Sequence, residues 1–148
     1  MKSNIIFCGL SHLSLNYGAA SVDFFNHLFF FDFKNKINKF YNKKIIIKEP
    51  KLNSILKKNK NKISFTDSID FDLKNSIIVV AIDIKTNQNN QSNYKYINNL
   101  LDYITSNSKI KKNPLVIMSQ VHPGFTKLRT PKPSYLPFIK SPTYFVPS

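Results

Sequence analysis

The chain has one cysteine, Cys8, no tryptophan, one arginine, Arg129, and three glycines in 148 residues. A single cysteine excludes an internal disulfide and any cysteine-based metal cluster. No apolar run approaches the ~20 residues that a membrane span needs. The first residues lack the basic start, apolar stretch and small-residue cleavage site of a secretory signal, so a soluble cytoplasmic protein is expected. Acids are scarce too: Asp and Glu total 8 against 22 basic residues, a formal charge of +14. Of those 22, however, 21 are lysine. Arginine makes the bidentate contacts to guanine and phosphate, and its near absence argues against a nucleic-acid partner. The lysines are dispersed among Asn, Ile and Phe, a mixture that resembles codon bias toward A and T, and the densest run, Lys57 to Lys62, reads as a solvated helix end and turn.

What remains is enough for a folded domain: 42% hydrophobic and 14% aromatic residues. Asn4–Cys8 is a short apolar run ending at Gly9, consistent with a buried strand. A small-residue helix follows to about Asn26, then an apolar run at 27–31 closed by Asp32, then a lysine-rich helix at 33–41. Ile45 to Ile47 reads as a short strand or an extended segment leading to Glu49 and Pro50. Leu52, Ile55 and Leu56 mark one helical face, Ile63 to Phe65 a minimal strand, and Asp67 a cap for a short helix toward Lys74. The run at 77–82, IIVVAI, is apolar throughout, as a strand buried on both faces requires. Tyr94, Ile97, Leu100, Leu101 and Ile104 define the best amphipathic helix, at 93–106, and a last strand occupies 115–118. Strands alternating with helices predict an α/β fold with a doubly wound parallel sheet. The last 18 residues hold five of the eight prolines, so an organised domain over 1–130 and an irregular Pro-rich tail over 131–148 are expected.

Gly9 stands where a strand meets a helix, the place where backbone N–H groups can hold a pyrophosphate. Ser11 and Ser14 occupy the other two glycine positions of a G-x-G-x-x-G loop. Asp32 follows Gly9 by 23 residues, a spacing that suits a carboxylate accepting from a ribose 2′-hydroxyl. An acid there favours NAD over NADP, because a 2′-phosphate would meet like charge. The alternative is that Gly9 only turns the chain and Asp32 only ends a strand. Cys8, inside an apolar strand, reads as a small buried hydrophobe.

The segments IIFCGLSHLSL, FFFDFKNKI, IKEPKL, IIVVAID, NYKYINNLLDYI and LVIMSQVHPGFT occur in that order over residues 4 to 126. Together they resemble the N-terminal NAD-binding domain of the UDP-glucose/GDP-mannose dehydrogenase family. The resemblance implies a Rossmann-like sheet. It also implies NAD as cofactor, held by Gly9, Ser11, His12, Leu13, Asp32, Lys36, Ser119 and Gln120. Leu15 matches the leucine after the family's loop, and Pro123, Gly124 and Thr126 match its last motif. Glu49 and Pro50 match a Glu-Pro segment of structural role. Ser11 is expected to crowd the phosphate, and Ser14 is the mildest replacement for the packing glycine. His12 and His122 are side chains that the family pattern lacks.

The family oxidises a sugar CH₂OH with a cysteine thiolate that belongs to later domains, and these 148 residues do not reproduce that region. The resemblance therefore implies a domain inactive alone, with a sugar nucleotide as partner only if the other domains are supplied. The competing reading is a Rossmann-fold interaction module that has lost its cofactor.

Overall fold

A computed structural model describes residues 2–42, 49–70, 73, 75–107, 113–129 and 138–140. In chain order the elements are β1 (Asn4–Cys8), α1 (His12–Ser21), β2 (Leu28–Phe31), α2 (Lys34–Tyr41), α3 (Leu52–Lys58) and β3 (Ile63–Thr66). They continue with β4 (Ser76–Val80), α4 (Lys95–Ser106), β5 (Leu115–Ile117), α5 (Phe125–Arg129) and β6 (Phe138–Lys140). The strands form one sheet in the order β3-β2-β1-β4-β5-β6, and every pairing is parallel. The order reverses between β1 and β4, the topological switch point beside which ligands bind in open sheets of this kind.

The apolar runs are explained by two separate cores. Along β1, Ile6 and Cys8 face one way and pack with Ile78, Val80 and the α4 residues Ile97, Leu100 and Ile104. Ile5 and Phe7 face the other way, against Leu15 and Ala19 of α1, Ile37 of α2 and Leu52 of α3. A strand covered on both faces has no polar side to show, so its sequence does not alternate. Cys8 is fully buried, and burial pushes its thiol far above the ordinary range, which suppresses the thiolate.

Several boundaries differ from the sequence reading. Helix α1 stops at Ser21, where the Ser21 hydroxyl donates to Gly18 O at 3.0 Å and Phe24 N closes a turn on Ser21 O at 3.0 Å. Asn26 N then donates to Ser3 O at 2.9 Å and draws the chain back toward β1. Asp67 starts no helix over the described residues 67–70. Instead Thr66 Oγ1 donates to Ser68 O at 2.8 Å and accepts from Ser68 N at 3.1 Å, a local turn that carries Ile69 into the core. The short strand or extended segment expected at Ile45 to Ile47 lies outside the described residues. Within the Pro-rich tail, Phe138–Lys140 runs parallel to β5 at the sheet edge.

Gly18 brings α1 down onto β2. A Cβ there would stand 2.5 Å from Phe30 Cζ and 2.7 Å from Phe30 Cε1. Phe30 is fully buried and stacked on Phe65 at 5.0 Å, so it has no room to retreat. Gly18→Val is accordingly expected to lower stability by about 3 kcal/mol, the upper end of ordinary overpacking. Urea unfolding checks this, and an unchanged midpoint would show that α1 lifts freely.

Candidate functional site

The turn from β1 into α1 stands at the switch point between β1 and β4. Gly9 takes φ +103°, a conformation that side chains rarely adopt, and its N–H donates to Phe31 O at 2.8 Å. The side of Gly9 that would carry a Cβ is pressed against the Ile82 side chain, so this glycine is needed for packing as well as for turning.

Ser11 is the N-cap of α1. Its Oγ accepts from Ser14 N at 3.2 Å, while Ser14 Oγ accepts from Ser11 N at 3.0 Å, a reciprocal capping box. Ser11 Oγ also donates to Ala81 O at 2.9 Å. The hydroxyl expected to crowd a phosphate is thus held by the fold, bridging the α1 cap to the end of β4. Ser14 is fully buried, yet its polar atoms are satisfied by the same box. The box takes up one of the N–H groups that a helix start leaves open. Among the described residues, the N–H groups of His12 and Leu13 have no acceptor. Two adjacent N–H groups at the positive end of a helix dipole are suited to an anion.

Asp32 follows β2 and is fully buried. Its Oδ2 accepts from Leu10 N at 2.6 Å, and its Oδ1 accepts from Phe33 N at 2.7 Å and from the Tyr96 hydroxyl. The carboxylate therefore ties the β1–α1 turn to the end of β2 and to α4. Burial and the carboxylate together push the Tyr96 phenol far up, so its hydroxyl stays protonated and donates. Lys36 Nζ lies 4.8 Å from the centroid of the Tyr96 ring, and the Phe33 ring meets the same ring edge-on at 6.2 Å.

Ser119 closes the other side. It is buried, and its Oγ accepts from Ile82 N at 2.8 Å, joining the ends of β4 and β5 beside Gly9. Gln120 is exposed and joins none of these hydrogen bonds. Leu13 is half-buried and packs on the α1 side of the sheet. His12 is exposed and pairs with Glu49, which holds its imidazole above the ordinary range. The contribution of that pair is complete below the ordinary imidazole pKa and is lost as pH rises through the raised value. Glu49, read as purely structural, thus reaches the start of α1. His122 forms an aromatic group with Tyr94, at 5.3 Å, and Phe125, at 5.7 Å.

The structure therefore gathers Gly9, Ser11, Asp32 and Lys36 around one turn, with Ser119 attached through Ile82. Tyr96, Ile82 and Gly18 were missed in the sequence. Tyr96 lies off the apolar stripe of its helix, and no residue pattern signals its reach to Asp32.

Residues 3–131 match the model of the UDP-glucose/GDP-mannose dehydrogenase family, NAD binding domain. Among solved structures, the chain is similar to GDP-mannose dehydrogenase from Pseudomonas aeruginosa, at 20% identity and TM-score 0.66, covering 83% of this chain and 30% of that one. It is also similar to UDP-D-ManNAc dehydrogenase from Pyrococcus horikoshii, at 16% identity and TM-score 0.70, covering 85% of this chain and 30% of that one. A UDP-glucose dehydrogenase from Pyrobaculum islandicum aligns at 13% identity and TM-score 0.64, over 84% of this chain and 30% of that one. The chain thus spans about a third of the length of each of these proteins. No curated protein sequence gives a significant match. With a parallel sheet in the order 3-2-1-4-5-6 and a family match over most of its length, the chain belongs to the UDP-glucose/GDP-mannose dehydrogenase family, as its NAD-binding domain.

Proposed function

We propose that this chain binds NAD across the carboxyl ends of β1, β2 and β4, as the cofactor-binding part of a nucleotide-sugar dehydrogenase of the UDP-glucose type. The pyrophosphate rests on the N–H groups of His12 and Leu13 beside Gly9 and the capped Ser11, and the adenosine ribose addresses Asp32 with Lys36 alongside. Ser119 and Gln120 flank the other half of the cofactor. NAD, when bound, supplies the hydride acceptor for oxidation of a sugar CH–OH group. The chain's own residues bind and orient it.

One observation carries this reading. Asp32 Oδ2 holds the Leu10 N–H at 2.6 Å, which sets the ribose acid directly against the turn that leads into the helix start. Among the described residues, the turn also leaves two N–H groups without an acceptor. Sugar-nucleotide binding, a cytoplasmic role in polysaccharide biosynthesis and turnover are proposed for an assembly that supplies the remaining family domains. Alone, these 148 residues are expected to be inactive, since the one thiol, Cys8, is shut inside the sheet.

Titration calorimetry tests the binding. Saturable heat with NAD is expected, and no heat at millimolar NAD from a folded sample would sink the reading. That second outcome is the one expected of an interaction module without cofactor, a reading favoured by the closure of Asp32 beneath Tyr96.

A further inference from the structure

Asp32 presents a conflict that the NAD reading does not resolve by itself. A carboxylate that accepts from a ribose must offer a lone pair to solvent, yet Asp32 has no exposed surface. Oδ1 already takes two donors, Phe33 N–H and the Tyr96 hydroxyl, which fills its two acceptor sites. Oδ2 takes Leu10 N–H.

The three donors differ in their freedom to leave. Leu10 N–H and Phe33 N–H belong to backbone fixed by the sheet: Gly9 N is bonded to Phe31 O, and Asp32 N to Thr66 O at 3.2 Å. Tyr96 is a side chain with two rotatable torsions, half-buried in the first turn of α4, with a path to solvent. Its ring is held in place by the Lys36 ammonium on one face and the edge contact with Phe33. Its phenol places on Asp32 the same kind of group that a ribose offers, a neutral hydroxyl donating to a carboxylate oxygen.

We propose that Tyr96 is a gate on the ribose subsite. Its hydroxyl stands in for the ribose hydroxyl, and a nucleotide engages Asp32 only after Tyr96 has swung away. Lys36 releases the Tyr96 ring in the same movement and becomes free to meet the nucleotide. This rests on the NAD reading above and specifies what that site must do first.

The test compares the wild-type chain with Tyr96→Phe, titrating each with NAD and with the analogue that has 2′-deoxyadenosine in place of adenosine. Removing a hydroxyl that competes for a carboxylate should tighten NAD binding about tenfold. The deoxy analogue, which lacks the hydroxyl that profits from the vacated oxygen, should gain much less. A gain in NAD affinity for Tyr96→Phe that clearly exceeds the gain for the deoxy analogue supports the gate. Equal NAD affinities, weaker binding by a folded Tyr96→Phe, or equal gains for both ligands overturn the gate and leave the NAD reading intact. No binding by either folded protein overturns both. Should Tyr96→Phe not fold, the Tyr96 ring resonances of the wild type decide the matter. They must shift when NAD binds, and unchanged resonances in a saturated sample overturn the gate.

Discussion

Gly9→Ala is expected to lower the stability of the domain by about 3–5 kcal/mol, much of what holds a domain of this size folded. Two independent penalties add. The backbone at φ +103° lies where an L side chain is strained, at roughly 1–3 kcal/mol. The new methyl would also overlap Ile82 Cγ2 and touch Leu100 Cδ1 at 3.4 Å. Ile82 cannot step aside cheaply, because its N–H is bonded to Ser119 Oγ and its side chain is part of the α4-side core. Overpacking of this kind costs about 1–3 kcal/mol more. Urea denaturation followed by circular dichroism measures the sum. A loss below about 1 kcal/mol would mean that Ile82 yields and that Gly9 is only a turn residue.

Asp32→Ala is expected to lower stability by about 3–5 kcal/mol and to abolish NAD binding. The alanine leaves Leu10 N–H, Phe33 N–H and the Tyr96 hydroxyl without their acceptor, and each unsatisfied buried group costs about 1–3 kcal/mol. Tyr96 and Phe33 are half-buried and recover part of that from water, which keeps the total below three full penalties. Asp32→Asn should fall between the variant and wild type. Its amide can accept on one side only and must present an NH₂ to a donor on the other. Denaturation curves for the three proteins, with calorimetry on those that remain folded, give the ranking. An Asp32→Ala protein as stable as wild type would show that the carboxylate is not the tie between the turn, β2 and α4.

The alternation of apolar runs and helices was legible because the central strands β1 and β4 are covered on both faces. IIVVAI needs no partner to announce itself as buried. The pairing of Gly9 with Asp32 was legible for a related reason. In a parallel sheet with β1 beside β2, the residues just past two neighbouring strands stand side by side, so one helical crossover sets their spacing in sequence. Gly18 was not legible. Whether a helix glycine is idle or essential depends on what the opposite strand presents, and only the β1–β2 register brings Phe30 beneath it. Ser11 was half legible: its place in the loop followed from Gly9, but its hydroxyl found Ala81, 70 residues away.

By itself, the sequence determined the α/β class, the position of the turn at Gly9, the acid at the end of β2 and the burial of Cys8. All four follow from local periodicity, from the turn propensity of one residue and from short-range spacing. Only the tertiary structure decided what those residues face. It set Ile82 against Gly9, turned the Ser11 hydroxyl into the fold, left the N–H groups of His12 and Leu13 without an acceptor among the described residues and laid Tyr96 over Asp32. Such contacts join residues up to 73 positions apart, as Gly9 and Ile82 are, and depend on strand order and helix placement. No local pattern encodes them, because each is the meeting of two segments whose separate reasons to fold are elsewhere.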